Sequence, residues 1–405
     1  MLALVAFAGL AAVAGQLVRH GATLQPEATL AAARPLASGW ARPDMIDRNG
    51  HLLATDTARP SLFADPALIV DVDEVVAFLS PIFPEIAWRE MRDRLDDRKR
   101  RFVWIKRTLS PRRAARVEAL GLPGLAFRDE LHRRYPMGAA TSHVVGTVDI
   151  DNRGQSGVET FVQDVSGVDV SDSAKRSARA PVRLTLDVGV QHVLRSELID
   201  AQRRTRSKAS AGIVMNARTG AIVAAVSLPD FDPLEPQDAL APDRLNRLVQ
   251  GRYELGSVFK PLTLAAALDA GTLKPRSRID TRNPIEVAGH IITDPPAKAG
   301  LLTAEQIFLH SSNVGVARIA ADLGGERLTG FLARVGLTNS LQTALGDGAT
   351  PLVPTPWRDV NTMTASYGHG LAVTPLQFAA ASATLINGGL RVHPHVVTTS
   401  SLPKP

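Results

Sequence analysis

Residues 253–271, YELGSVFKPLTLAAALDAG, constrain this chain more than any other stretch. The alanine- and leucine-rich run reads as a helix that Gly271 closes. Ser257 and Lys260 stand three positions apart at its start, just after Gly256. Three positions is close to one helical turn, so both side chains project from one face. A hydroxyl beside an amine is a nucleophile with a base in reach. The helix N-terminus adds unpaired N–H groups and a partial positive charge, which suit a developing oxyanion. Pro261 removes one backbone donor near the start of the helix, where the loss is best tolerated. The same Ser-x-x-Lys spacing occurs on ordinary helix surfaces, so the rest of the chain has to decide its meaning.

The 405 residues leave room for two or three domains, and a hydrophobic content of 45% is that of a globular protein with a sizeable core. The absence of cysteine excludes disulfides, thiolate catalysis and cysteine-ligated metals. A formal net charge of +6 suits an anionic partner. Much of that excess lies in residues 98–116, RKRRFVWIKRTLSPRRAAR, where Phe102 and Trp104 interleave with the charges. Such a run could bind nucleic acid. With no recognised nucleic-acid module around it, we read a strand with Phe102 and Trp104 facing inward, flanked by solvated charge and followed by a helix.

Taken in order, the chain opens on LALVAFAGLAAVAGQLV, residues 2–18, uncharged and about the minimum length for a membrane span. It reads as an anchor or export signal rather than a buried helix of a soluble domain, and a polar stretch follows to about residue 41. RPDMIDRNGHLLA, residues 42–54, reads as two strands about a turn at Arg48-Asn49-Gly50. Helical segments broken by Pro81 and Pro84 follow at 73–98, and a helix begun by Ser110-Pro111 runs to about Gly121. Residues 127–159 read as loops and short strands, with His132 and His143 as surface or structural histidines. Residues 168–181 read as a linker or exposed hairpin, 182–187 as a strand and 188–206 as a helix. Two strands across a turn at Ala217–Gly220 complete the approach to Ser257.

A second polar group gives the first its meaning. In LHSSNVGVAR, residues 309–318, Ser311, Ser312 and Asn313 fall between two expected helices, 303–310 and 314–323. Ser and Asn there are ordinary helix caps. About fifty residues after Ser-x-x-Lys, the same residues favour an active site. The Ser311 hydroxyl can pass a proton between the Lys260 amine and a leaving group, and the Asn313 amide can hold a peptide carbonyl or fix the lysine side chain.

The pair SVFK and SSN resembles the active-site signature of the penicillin-binding-protein and serine β-lactamase superfamily. The order of segments resembles the class B penicillin-binding proteins. RPDMIDRNGHLLA, RRYPMGAATSHVVGTVDIDNRGQSGVE, MNARTGAIVAAVSLPDFDP and YGHGLAVTPLQFAAASATLINGG each resemble a family segment, from about residue 42 onward. Within that class the chain resembles the septal, cell-division members.

The resemblance implies an α+β fold. A transpeptidase domain like that of serine β-lactamases, helices around an antiparallel sheet, would span 182–405. An elongated mixed α/β pedestal (dimerisation) domain would span 42–175, and a membrane anchor or signal-anchor 1–22. It implies that Ser257 is the acylated nucleophile, Lys260 its base, Ser311 a proton relay and Asn313 a substrate contact, with the Ser257 N–H as half of the oxyanion hole. The donor would be a stem peptide ending in D-Ala-D-Ala, and β-lactams would acylate the same serine. No cofactor or metal is implied. The implied setting is the bacterial inner membrane, single-pass, with the catalytic domain in the periplasm. The implied partners are other division and cell-wall membrane proteins, including a glycosyltransferase.

One departure stands out. The family's third motif, Lys-Thr-Gly or Lys-Ser-Gly, does not occur after Asn313, where the only lysine is Lys404. That motif supplies the second half of the oxyanion hole and binds the substrate carboxylate. The expectation is a fragment cut before that strand and lacking an N-terminal basic flank, inactive or unstable by itself. Two other readings stay open: a non-catalytic division scaffold, and a β-lactamase or β-lactam sensor, against which the large N-terminal region at 42–175 counts.

Overall fold

The computed structural model describes residues 42–165, 180–295 and 299–398. The expected anchor at 1–22, the stretch to residue 41, nearly all of the expected linker at 168–181, and Lys404 lie outside these residues. Among the described residues, no helix is long and apolar enough to cross a membrane. The chain forms two compact units, one holding residues 56–132 and the other residues 42–55 together with those from 133 onward.

In the first unit, the strand Val103–Lys106 pairs antiparallel with Leu52–Ala64, Leu62 opposite Lys106 and Phe63 opposite Trp104. Leu125–Arg134 pairs with the same central strand. Three helices cover one face: Val72–Leu79, Trp88–Asp96 and Pro111–Glu118. Their starts are local chemistry. Asp71 accepts from Asp73 N and Glu74 N, and Ser110 accepts from Arg113 N with Pro111 in the first turn. Leu62, Val76, Leu79, Phe83, Met91, Leu95, Ile105 and Val117 pack as one core beneath them.

Two expectations are corrected here. Strand side chains alternate, and Val103 and Ile105 are the ones that turn inward. Phe102 is exposed and Trp104 half-buried; they meet edge-on on the other face, where Phe102 also stacks on Phe63 at 4.7 Å. The region from 127 is not only loops and short strands either, since Leu125–Arg134 is a single ten-residue strand and Gly157–Val165 a helix. The basic run is largely answered by nearby carboxylates. Arg101 pairs with Asp65, Arg107 bidentately with Glu130, and Arg113 and Lys106 with Glu85.

The second unit begins with the expected hairpin. Met45–Ile46 pairs antiparallel with the start of Leu52–Ala64 and parallel with Val182–Arg183. The buried Asp47 carboxylate holds the turn by accepting from the N–H groups of Asn49, His51 and Val188. Buried Glu159 joins Arg42 at 2.6 Å and Arg133 at 2.8 Å, tying three distant parts of the sequence together.

The helix Val188–Thr205 lies on the antiparallel pair Ser210–Met215 and Ile222–Leu228. Gln191 is built into that contact: its amide donates to Ala225 O and accepts from Ala225 N, both at 2.8 Å. The helix Lys260–Asp269 sits at the centre of the helical part. Leu262 and Ala266 enter one apolar cluster with Leu328, Phe331 and Leu332, while Leu264 and Ala267 enter another with Ile307, Val316 and Ile319. A helix apolar on several sides is stable only when surrounded, and its contacts include Ala304–His310, Asn313–Leu323, Gly325–Arg334 and Pro375–Ile386.

Candidate active site

Ser257 lies in a 3-10 turn, Gly256–Phe259, and the α-helix begins at Lys260 as that turn ends. Lys260 N donates to Ser257 O, closing an i to i+3 bond. In 3-10 geometry, side chains three apart eclipse, so Ser257 and Lys260 share a face more directly than an α-turn would allow. Their environments differ sharply. Ser257 is exposed, whereas Lys260 is only 2% exposed at the head of a helix whose neighbours Phe259 and Leu262 are core. Pro261 stands in the helix's first turn, as expected.

Across the site, the helix Ala304–His310 ends on Ser311, which adopts the left-handed conformation with φ of +56°. A non-glycine residue there costs roughly 1–2 kcal/mol, and such strain gathers at functional positions. The conformation turns the chain within one residue, so that Ser312 can cap the next helix by accepting from Gly315 N at 2.8 Å. It also brings Ser311 to the lysine. Lys260 Nζ donates to Ser311 O at 2.5 Å and to Ser311 Oγ at 2.8 Å. The expected base and the expected relay are thus in direct contact. Asn313 opens the helix Asn313–Leu323 beside them, half-buried.

One residue of this site was not anticipated. Asp294, on the segment after the strand His290–Ile292, accepts from Asn313 N at 2.6 Å and from the buried Ser312 hydroxyl through its other oxygen. Its carboxylate is a second cap on the same helix, supplied from outside it. It fixes the backbone between Ser311 and Asn313. Nothing in the sequence pointed to it, because no fixed spacing connects a loop aspartate to a helix start 19 residues later.

Residues 366–370 close the other side of the turn. Thr263 Oγ1 donates to Ser366 O at 2.9 Å, and Gly256 N donates to Gly368 O at 3.1 Å. Gly368 has φ of +83°, and a Cβ there would lie 2.3 Å from Gly256 O. Only glycine allows this approach, so the backbone beside Ser257 is held by a contact that no side chain could replace.

His132 and His143, read from the sequence as surface or structural, lie away from these residues. His143 is buried, its ring edge-on to Phe231 and its Nε2 3.3 Å from Pro229 O. It lines a cavity of about 850 Å³ that includes none of Ser257, Lys260, Ser311 and Asn313. His132 is half-buried and belongs to the other unit. Among the described residues, no group of three His, Asp or Glu side chains is placed to hold a metal ion.

Comparison with known proteins bears on both units. Residues 210–403 match the penicillin binding protein transpeptidase domain, and residues 40–163 match the penicillin-binding protein dimerisation domain. The probable peptidoglycan D,D-transpeptidase FtsI of Caulobacter vibrioides is 35% identical over 349 residues, which cover 86% of this chain and 58% of that protein. The probable peptidoglycan D,D-transpeptidase PenA of Neisseria meningitidis is 32% identical over 372 residues, 86% of this chain and 64% of that protein. The peptidoglycan D,D-transpeptidase FtsI of Escherichia coli K12 is 28% identical over 376 residues, 85% of this chain and 62% of that protein. The chain therefore spans between 58% and 64% of the length of these relatives.

Proposed function

The chain belongs to the class B penicillin-binding proteins, and from that premise we propose that it is a peptidoglycan D,D-transpeptidase of cell division with Ser257 as its acylated residue. The donor is a stem peptide ending in D-Ala-D-Ala. Ser257 Oγ attacks the carbonyl of the penultimate D-Ala, an ester forms between Oγ and that carbonyl carbon, the peptide C–N bond breaks, and the terminal D-Ala leaves with a protonated amino group. The amine of a second stem peptide then attacks the ester and releases Ser257. Each half-reaction needs one proton taken from the attacking atom and one given to the leaving atom.

Lys260 takes the Ser257 proton, and Ser311 passes it toward the leaving amine. Asn313 holds the donor peptide, and the Ser257 N–H faces the developing oxyanion. The observation that supports this reading best is the contact of Lys260 Nζ with Ser311 Oγ at 2.8 Å, with Ser257 one 3-10 turn before the same lysine. A β-lactam carbonyl mimics the donor and leaves a stable ester on Ser257. The setting that goes with this chemistry is the periplasmic face of the inner membrane, with a single membrane anchor. A glycan-polymerising membrane glycosyltransferase and other division proteins are the partners.

The test is turnover of a peptide donor. Incubation of the full-length protein with a synthetic D-Ala-D-Ala stem peptide and a D-amino acid acceptor should release D-Ala and form the exchanged peptide, and Ser257→Ala should abolish both. Release that persists in Ser257→Ala would defeat the proposal.

A further inference from the structure

Glu254 lies three residues before Ser257, at the end of the short strand Tyr253–Glu254. That strand pairs antiparallel with Ala372–Val373, Glu254 opposite Ala372. The Glu254 carboxylate reaches across to the loop leading into this partner strand. Its Oε1 accepts from Gly370 N at 2.9 Å, and its Oε2 lies 3.2 Å from His369 Nδ1. The His369 ring in turn meets the Tyr367 ring edge-on at 5.3 Å. Tyr367 packs against two apolar clusters, one that includes Ile307 and Val316 and another that includes Val314 and Ala317. Those four residues belong to the two helices that flank Ser311 and Asn313. A continuous chain of contacts thus runs from the helices bearing the second motif, through Tyr367 and His369, to the residue just ahead of the nucleophile turn.

Resting on the reading of Ser257 as nucleophile, we propose that Glu254 is a positioning residue and that Glu254 with His369 forms an external latch. The latch sets the Gly256–Phe259 turn against the Ser311–Asn313 loop. Both side chains are about half-exposed, 51% and 57%. Exposed pairs of this kind add little to global stability. What this one fixes is local: the loop whose Gly368 carbonyl holds Gly256 N also carries the two groups that bond Glu254. Cutting the latch frees a turn in which a small displacement of Ser257 is costly to the reaction and cheap to the fold.

The experiment uses the full-length protein with Glu254→Ala, Glu254→Gln, His369→Ala and His369→Asn. Penicillin acylation is resolved into binding (K) and the acylation rate constant (k2), alongside amide hydrogen exchange across residues 254–260 and thermal melting. Glu254→Ala should lower k2 about tenfold, the order expected from loss of one charge-assisted hydrogen bond, with K within about twofold. It should speed exchange at residues 256–258 and leave Tm nearly unchanged. Glu254→Gln, which keeps the shape and an acceptor for Gly370 N, should fall between it and the wild type. His369→Asn, whose side-chain amide can still donate, should recover much of what His369→Ala loses. Unchanged exchange at 256–258 in Glu254→Ala would overturn the latch, as would a loss confined to K. A wild-type protein that no penicillin acylates would instead refute the nucleophile reading, while the exchange measurement still decides the latch.

Discussion

Lys260 Nζ donates to Ser311 Oγ at 2.8 Å across 51 positions of sequence. The amine is buried at the head of a core helix, and the serine that receives it sits in the left-handed conformation. Burying an amine is costly unless its donors are bonded, so this contact both satisfies the lysine and aims it.

Lys260→Met keeps the length and apolar stem of the side chain but removes its donors. General-base catalysis contributes roughly 10²–10⁴-fold, so penicillin acylation should slow by about that factor while the far-ultraviolet circular dichroism is unchanged. Ser311→Ala keeps the Lys260 bond to the Ser311 carbonyl and should slow acylation less. Near wild-type acylation by Lys260→Met would remove lysine from the mechanism.

Asp294 offers a separate test. Asp294→Ala leaves the buried Ser312 hydroxyl and the Asn313 N–H without their carboxylate acceptor. An unsatisfied buried polar group costs about 1–3 kcal/mol, so the urea midpoint should fall accordingly. Acylation should fall beyond what that loss of stability explains, because the Ser311–Asn313 backbone loses an anchor. Full acylation of the folded fraction would reduce Asp294 to a helix cap.

Gly368→Ala should disturb the site from the opposite side. Its Cβ would meet Gly256 O at 2.3 Å in a backbone conformation that already disfavours side chains. The conformational part alone is about 1–2 kcal/mol. Gly330→Ala, with nothing within 4 Å of the added Cβ, is the matched control and should leave acylation intact. Equal behaviour of the two variants in acylation would refute the Gly256–Gly368 contact as a constraint on Ser257.

Glu159 carries a prediction about stability alone. Glu159→Gln preserves shape but deprives two buried guanidiniums, Arg42 and Arg133, of their shared charge. Breaking a buried pair in this way costs about 3–5 kcal/mol, measurable as a shift in denaturant midpoint. A loss below about 1 kcal/mol would show that the two arginines find equivalent partners.

The pH dependence follows from His143. Burial pushes its imidazole below the usual 6.5, a shift that the Pro229 carbonyl and Asp230 only partly offset. Below pH 6.5 the unfolded chain binds a proton that the folded chain does not, so stability falls as pH drops from 6.5 toward the folded value. The slope from this one group is at most about 1.4 kcal/mol per pH unit. His143→Asn should flatten the stability profile between pH 6.5 and 5, whatever its effect at pH 8. An identical slope in the variant would assign the dependence to other groups.

The sequence made legible what is written locally. The turn at 48–50, the helix at Ser110-Pro111 and the lysine one turn after Ser257 are all short-range patterns, and all take the expected form. The ten-residue strand Leu125–Arg134 was hidden because six of its residues are charged or histidine. Glu130 and Arg133 are buried and are paired with Arg107 and Glu159, partners remote in sequence that no alternation of apolar residues reveals. The face assigned to Phe102 and Trp104 was reversed for a related reason. Alternation gives two faces, and only tertiary packing says which is buried. Asp294 and Glu254 were invisible because their roles exist only once the chain has folded around Ser257.

Intact-protein and peptide mass spectrometry of the full-length protein after exposure to benzylpenicillin tests the central claim most directly. One penicilloyl adduct per chain on the peptide containing Ser257, absent from Ser257→Ala, is the result the site predicts. An adduct at another residue, or one that survives Ser257→Ala, would contradict it.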